Sequence, residues 1–334
     1  MPGTVGLVVN PASGKDIRRL VAHASVFDNG EKRSIIRRAI LGANAVGVER
    51  FVYLPDSHGI VESALEDLDV NAEFVALDSP QTGTALDTTR IASQMRDREI
   101  DTVIILGGDG TNRAFTLGWR DAPIVAVSTG TNNVFPQMVE GTVAGAAAGL
   151  VASGAILLKD ASRQVKVVHV EIEDERDDLA LIDAVLLDEL FVGSKAVWDV
   201  RRLRTLVLSR AEPGVVGMSA IGGLICPVPE SVDGGLWVEV GAGGANVLAP
   251  IAPGLYVPVV VRAARPLQLN QVVEVRGPGI LALDGERERR LAPSQVARLS
   301  VRRDGPRVID MALTLTLAAC RGVFRTEGAA ASGD

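Results

Sequence analysis

Apolar and polar positions in the first half of the chain follow two alternating rhythms. Short continuous apolar runs at residues 6–10, 51–54, 73–77, 102–106 and 124–127 each stop at a turn signal such as Asn-Pro, Pro-Asp or Gly-Gly-Asp. Between them, apolar residues recur at helical spacing. Ile35, Ile36, Ala39 and Ile40 share one face of a helix predicted over 31–41, with Asp28 and Asn29 as N-cap candidates. Ile60, Val61, Ala64, Leu65 and Leu68 repeat the pattern, and further helices are predicted near 85–95, 111–117 and 137–152. Uninterrupted apolar strands joined by helices indicate a parallel sheet covered on both faces. The expected fold class is therefore α/β, doubly wound in the N-terminal domain. In the helix at 137–152, Gly141, Gly145 and Gly149 recur every four residues. Each costs about 1 kcal/mol in helix propensity relative to alanine, so the spacing points to close helix packing that compensates.

Beyond residue 154 the texture changes. Residues 164–173 alternate, with Val165, Val167, His169 and Glu171 on one side, and further short strands are expected at 206–208, 237–240, 256–261, 272–275 and 280–283. Strands of this spacing, punctuated by glycine and proline, predict a second, β-rich, sandwich-like domain. The run "MALTLTLAACRGVF" reads as a strand by its alternation, but Asp310, the alanine pair and Gly322 favour a capped helix. The expected division is an α/β domain over 1–153, a β-rich domain over 154–304, a segment over 305–327 that returns to the first domain, and a disordered tail over 328–334.

Composition removes several function classes. The net charge is −7 and aromatic residues make up 4% of the chain, which disfavours a nucleic-acid surface or a base-stacking platform. The apolar content of 47% is dispersed, and no unbroken run approaches the roughly 20 residues that span a bilayer. The start, "MPGTVGLVVNP", lacks a basic segment before its apolar run, so no signal peptide is expected and the location is read as cytoplasmic. Cys226 and Cys320 have neither metal-ligand spacing nor a disulfide framework and read as buried or half-buried thiols. His23, His58 and His169 form no metal pattern, although His58 follows a strand and could border a crevice. Arg201, Arg202 and Arg204 read as a solvated basic face, and "DERDD" over 174–178 as an exposed hairpin tip.

The candidate chemistry lies in glycine loops at strand ends, where open α/β sheets bind ligands. Gly107, Gly108, Asp109, Gly110 and Thr111 follow the fourth strand, with Asn112 next in the helix. Glycines let the backbone approach a ligand closely, and the N–H groups at the start of the next helix suit a phosphate. A carboxylate set among those donors suits a site where a hydroxyl meets a phosphoryl group: Asp109 could take the hydroxyl proton or hold Mg²⁺. A second loop, Ser128, Thr129, Gly130, Thr131, Asn132 and Asn133, follows the fifth strand and offers amides to sugar hydroxyls or a base edge. A third, Asn10, Pro11, Ala12, Ser13, Gly14 and Lys15, follows the first strand. It is not a Walker A loop, but Ser13, Gly14 and Lys15 could contribute to a triphosphate site.

"LGGDGT", "STGTNN" and "LALDGERE", in that order, resemble the ATP-NAD kinase and lipid kinase superfamily, and "NPASGKD" resembles the NPxSG loop of its lipid kinase branch. The whole chain looks most like the branch called ATP-NAD kinase, AcoX type. The resemblance implies a two-domain kinase using ATP and Mg²⁺, its site lying between the domains. It implies that Asp109 activates the acceptor hydroxyl, which in NAD kinases is the adenosine ribose 2′-OH. It further implies that the glycines and Thr111 contact phosphates, that Asn132 and Asn133 lie near the nucleotide, and that Asp284 and Glu286 approach the metal or phosphates from the β-rich domain. Mg²⁺ would be held by Asp109 or Asp284. NAD kinases carry an Asn-Glu pair early in the β-rich domain. Here "DAVLLDELFVG" offers Asp188 and Glu189 on the acceptor side instead, and these also read as plain strand-end charges.

The leading expectation is ATP-dependent phosphoryl transfer to a hydroxyl of NAD or a related nucleotide. A diacylglycerol- or sphingosine-type lipid kinase is one alternative, against which no basic amphipathic or aromatic-rich docking segment is present. A non-catalytic nucleotide-binding accessory protein is the other. The expected partners are small nucleotides, with neither nucleic acid nor membrane, and a homo-oligomer formed through edges of the β-rich domain.

Overall fold

The computed structural model describes residues 3–14, 27–130, 132–189 and 199–325, with residues 287 and 288 described by backbone alone. Lys15, His23, Thr131 and the expected tail over 328–334 lie outside the described residues.

The N-terminal half runs β1 (Thr4–Val9), α1 (Asn29–Asn44), β2 (Arg50–Tyr53), α2 (Ile60–Leu65), β3 (Glu73–Ala76), α3 (Ala85–Asp97), β4 (Thr102–Gly107), α4 (Asp109–Gly118), β5 (Pro123–Ser128) and α5 (Gly141–Ala152). Its strands pair in parallel in the order β3-β2-β1-β4-β5. One face of the sheet packs under α1, α2 and α5 through Leu7, Ile36, Ile40, Ile104, Val125 and Ala148. The other packs α3 and α4 through Ile91, Met95, Phe115, Ile105 and Ile124. As the apolar runs predicted, β1, β4 and β5 are buried along nearly their whole lengths. Asp28 caps α1 by accepting from the Glu31 N–H at 2.7 Å. The glycine spacing in α5 serves α1: a Cβ on Gly145 would lie 1.9 Å from the Ala39 carbonyl oxygen, and one on Gly141 2.5 Å from that of Ile35. The two helices therefore meet backbone to backbone.

After α6 (Leu158–Ala161) come β6 (Ser162–Gln164), β7 (Val167–Ile172), β8 (Asp178–Ala180), β9 (Asp183–Leu187), β10 (Leu203–Leu208), α7 (Met218–Gly223), β11 (Gly235–Ala252), β12 (Leu255–Leu267), β13 (Val272–Arg276), β14 (Gly279–Leu283), β15 (Glu286–Leu291) and β16 (Val296–Arg302). Two antiparallel sheets, β12-β11-β10-β9-β14-β15 and β13-β16-β7-β8, face each other across a core of Leu186, Val207, Leu281, Val170, Leu299 and Val301. This is the expected sandwich. In β7 the deeper apolar face is Val168, Val170 and Ile172, while His169 and Glu171 are half-buried on the other. Finally β17 (Arg307–Ile309) pairs parallel with β5 and antiparallel with β6, and α8 (Met311–Cys320) packs on α5 and α6. The ambiguous C-terminal run is a helix: Asp310 accepts from the Leu313 N–H at 3.0 Å.

Two details depart from expectation. Cys320 is exposed rather than buried, because α8 turns it away from α5; Cys226 is half-buried. Asp178, read as part of an exposed tip, is buried because two arginines converge on it.

Candidate functional site

Strands β1, β4 and β5 are adjacent, parallel and in register, so the three glycine loops leave the same edge of the sheet. Side chains tie them together. The Asn10 Nδ2 donates to Thr111 Oγ1 at 2.8 Å, and Thr129 Oγ1 donates to Ser13 Oγ at 2.8 Å. The Thr129 N–H reaches the Gly107 carbonyl at 3.3 Å. Gly14 takes a left-handed φ of 73°, and a Cβ there would lie 2.5 Å from the Thr129 carbonyl oxygen. Thr111 fills the space a side chain at Gly107 would need, its Oγ1 2.6 Å from that Cβ position. The first loop is held from below by Lys32. This lysine is fully buried, and its Nζ donates to the carbonyls of Asn10, Pro11 and Ser13 at 2.9, 3.0 and 2.8 Å. Lys32→Met leaves these carbonyls without that donor in a dry setting and should cost about 3 kcal/mol. Urea denaturation reads the loss, and amide exchange at Ser13 should quicken.

Asp109 is the first residue of α4, with Gly108 as N-cap. Its carboxylate crosses to the second loop. Oδ1 accepts from the Phe135 N–H at 2.9 Å and from the Val134 N–H at 3.1 Å, and the latter also reaches Oδ2 at 3.1 Å. Two backbone donors thus fix the orientation of the acid at the mouth of the strand. The peptide that supplies them is gripped in turn from the β-rich domain: the Arg210 guanidinium donates to the Val134 carbonyl and lies over the Phe135 ring, 5.9 Å from its centroid.

The β-rich domain brings a second carboxylate. Asp284, in the β14–β15 turn at φ 49°, is buried and accepts from the N–H groups of Leu181, Ile182 and Asp183 at 2.9, 2.7 and 3.3 Å. Burial pushes its carboxyl up to about 7. Arg113 and the Leu181 and Ile182 N–H groups oppose that rise, and the charge of Asp109 adds to it. The unfolded chain releases this proton near pH 4 and the native chain near pH 7, so the native state binds the extra proton between them. Stability conferred at low pH is therefore lost as pH rises through this window, by up to about 4 kcal/mol at 1.36 kcal/mol per unit. Asp284→Asn should lack that slope, and urea titrations of both proteins at pH 5 and pH 8 measure it.

Glu286 sits beyond Asp284 with its Oε1 3.3 Å from the position a Cβ would take on Gly110. Across the same seam, Arg113 of α4 donates from Nη2 to Asp178 at 2.7 Å and from Nε to the Leu179 carbonyl at 2.6 Å. Arg289 reaches the other oxygen of Asp178 at 3.1 Å.

The structure thus gathers Asn10, Ser13, Gly14, Gly107, Gly108, Asp109, Gly110, Thr111, Thr129, Gly130, Asp284 and Glu286 about one crevice. Asn112 is buried, its Nδ2 donating to the Gly108 carbonyl at 2.9 Å. Asn132, in the second loop, is half-buried. Asn133 shapes that loop rather than offering its amide to a ligand: its Nδ2 donates to Ser128 Oγ at 2.8 Å. Asp188 and Glu189 are not brought in. They follow the far end of β9 from Asp183 and Asp284, about 15 Å along the strand at ~3.3 Å per residue. His58 borders a separate hollow of about 220 Å³ with Arg33 and Ser63. Arg201 and Arg202 are exposed and pair with Asp199, while Arg204 donates to the Pro278 carbonyl. Sequence reasoning missed Lys32, Arg113, Asp178 and Arg210. Lys32 carried a signal, since it shares a helix face with Ile35 and Ile36 where an apolar residue was due.

Among the described residues no group of three or more acidic, histidine or cysteine side chains is placed to hold a metal. Asp284 does not fit as a ligand, because both its oxygens already accept backbone N–H groups and its carboxyl is pushed towards the neutral form. Asp109 differs in being half-buried, with Oδ2 only sharing the Val134 N–H with Oδ1, so it keeps lone pairs that fit a single carboxylate ligand for a Mg²⁺ whose remaining ligands are waters and phosphate oxygens.

Residues 5–156 match the model of the ATP-NAD kinase N-terminal domain, and residues 166–304 that of the acetoin catabolism protein X C-terminal domain. Acetoin catabolism protein X of Cupriavidus necator is 36% identical, over 96% of this chain and 94% of that protein. The chain belongs to the acetoin catabolism protein X family. Within this family member the first matched region carries the three glycine loops and the second carries Asp178, Arg210, Asp284 and Glu286, so the crevice lies on the seam between them. Two solved structures described as a diacylglycerol kinase from Bacillus anthracis align over 92% of this chain and 97% of theirs. They have TM-scores of 0.46 and 0.45 and identities of 14% and 13%.

Proposed function

We propose that this acetoin catabolism protein X family member is a phosphotransferase with an alcohol as acceptor, moving a phosphoryl group from ATP to a hydroxyl of NAD or a related nucleotide. One observation carries the reading: the Asp109 carboxylate stands among three glycine loops at the carboxyl ends of parallel strands, oriented by two backbone N–H groups. Loop N–H groups and the N-terminus of α4 receive phosphate oxygens. Asp109 takes the proton of the attacking hydroxyl. Asp284, its carboxyl pushed up to about 7 by burial, is about half protonated near pH 7 and places less negative charge beside the polyphosphate than an ordinary carboxylate would. Mg²⁺ arriving with the nucleotide would be held by Asp109 and would offset phosphate charge. Positioning and electrostatics supply the catalysis, as phosphoryl transfer requires.

The test incubates purified protein with ATP, Mg²⁺ and a panel of dinucleotides, nucleosides and diacylglycerol, read by mass spectrometry for added phosphate. Phosphorylated NAD or a nucleoside relative supports the reading, and transfer only to diacylglycerol moves the protein to the lipid kinases. The remoteness of Asp188 and Glu189 from the crevice favours one second reading, a nucleotide-binding accessory protein. That reading predicts a thermal shift with nucleotide and no transfer to any acceptor.

A further inference from the structure

The Val134 carbonyl and the Phe135 N–H belong to one peptide unit. In a trans peptide the two groups point in opposite directions across a rigid plane. On one side the Phe135 N–H donates to Asp109 Oδ1 at 2.9 Å, and on the other the Arg210 guanidinium donates to the Val134 carbonyl. A single plate of the loop after β5 therefore stands between a carboxylate of the N-terminal domain and a cation of the β-rich domain. Both bonds are charge-assisted, and each polarises the plate in the sense that strengthens the other. The loop's own ties fix its ends instead: Gln137 pairs with Ala126 and Ser128 through backbone bonds of 3.1 and 2.8 Å, and Asn133 Nδ2 donates to Ser128 Oγ at 2.8 Å. The orientation of the plate between them is set by Asp109, by Arg210 and by the buried Phe135 ring under the guanidinium.

Arg210 is itself held firmly. The Ser219 Oγ donates to its carbonyl at 2.9 Å, and the adjacent Ser209 is buried, its Oγ donating to the Leu181 carbonyl at 2.6 Å. The Ile182 N–H, in the same peptide unit as that carbonyl, donates to Asp284 Oδ1 at 2.7 Å. The same arrangement thus occurs twice across the seam, a peptide plate joining Asp284 to Ser209 and another joining Arg210 to Asp109.

We propose that Arg210 is a positioning residue that acts through the Val134–Phe135 peptide to hold Asp109 in the orientation which, on the phosphotransferase reading above, takes the proton of the acceptor hydroxyl. Docking of the β-rich domain then completes the acid–base geometry as well as closing the crevice. Phosphate binding is spared, because the ties among the glycine loops, Asn10 to Thr111 and Thr129 to Ser13, do not involve Arg210.

The test compares Arg210→Met and Arg210→Lys with the wild type as full chains, using ATP, Mg²⁺ and NAD in single-turnover and steady-state assays. Arg210→Met should lower kcat by about 10- to 100-fold, the scale of a misplaced reacting group, with KM for ATP changed by no more than about twofold. Arg210→Lys keeps a cationic donor for the carbonyl and should recover part of the loss, and it serves in place of the methionine variant should that one fail to fold. In an Asp109→Asn background, Arg210→Met should cost almost nothing further, since its route to the reaction has been removed. Deuterium exchange is read beside the kinetics. The Val134 and Phe135 amides should exchange at least about tenfold faster in Arg210→Met, while the Thr129 amide, bonded to the Gly107 carbonyl, keeps its native rate. Unchanged exchange at Val134 and Phe135 overturns the proposal. So does a rise in KM at constant kcat, which would make Arg210 a nucleotide contact, or a full additive loss in the Asp109→Asn background, which would make its role independent of the acid. A wild type that transfers nothing to NAD overturns the NAD-directed activity alone, and the exchange rates still decide whether Arg210 orients Asp109.

Discussion

Asp109→Asn is expected to lower phosphoryl transfer by about 10²- to 10⁴-fold, the usual worth of a positioned general base. The substitution is close to isosteric. In the native protein Oδ1 of Asp109 takes the Phe135 N–H and shares the Val134 N–H with Oδ2, so an asparagine oxygen in the Oδ1 position keeps the Phe135 bond and Oδ1's share of the Val134 N–H, and loses only the Oδ2 share. The glycine loops are tied by Asn10, Thr111, Ser13 and Thr129, none of which depends on the charge of residue 109. Nucleotide binding should therefore survive and tighten slightly, because a negative charge beside the phosphates is removed. Single-turnover phosphate transfer and equilibrium nucleotide binding, measured side by side, separate the two effects. A variant that turns over at the native rate removes Asp109 from the chemistry and with it the proposed mechanism.

The second large effect concerns stability and runs against helix propensity. In an exposed helix interior Gly→Ala stabilises by about 1 kcal/mol. At Gly145 the same change should destabilise by about 3 kcal/mol or more, because the new methyl would lie 1.9 Å from the Ala39 carbonyl oxygen. The clash is with backbone, so no side chain can rotate away. Relief requires α1 and α5 to separate. The contact is tight along its length: a Cβ on Gly42 of α1 would meet the Thr142 carbonyl oxygen at 2.2 Å, and one on Gly149 would meet Val46 Cγ2 at 2.6 Å. Displacing α1 also moves Lys32, which holds the carbonyls of the first loop. Urea unfolding of Gly145→Ala should show the loss, with weaker nucleotide affinity beside it. A net gain in stability would mean that the helices separate at little cost and that the glycine spacing has another origin.

Local pattern carried much of this protein. The apolar runs of β1, β4 and β5 were legible because a strand buried on both faces has no polar alternation to preserve, and that is visible within six residues; edge strand β3 is only partly buried. The turn that follows each run gave away its edge of the sheet, so the "LGGDGT" and "STGTNN" loops could be placed at one rim before any contact was known. The capped helix at α8 was legible from Asp310 and Gly322. Other elements had no such signature. β15 reads "ERERRL", a strand of charges at a sheet edge with no apolar period to detect. β11 runs through "GAGGAN", which reads as a turn in isolation and is held extended by bulged pairing with β12.

The crevice divides in the same way. Asp109 and its glycines were readable because the chemistry lies in one contiguous stretch. The ion pair of Arg113 with Asp178 and the grip of Arg210 on the Val134 peptide join residues 65 and 76 positions apart. Such partners are chosen by strand pairing and domain docking, which no window of sequence contains. The same holds for Asp188 and Glu189. Their residue types suited the acceptor side, but antiparallel pairing of β9 with β14 sent them to the opposite end from Asp284. Periodicity and turn chemistry act over a few residues and leave their mark in the chain. Which carboxylate meets which arginine, and which end of a strand faces the ligand, depends on how distant segments pack.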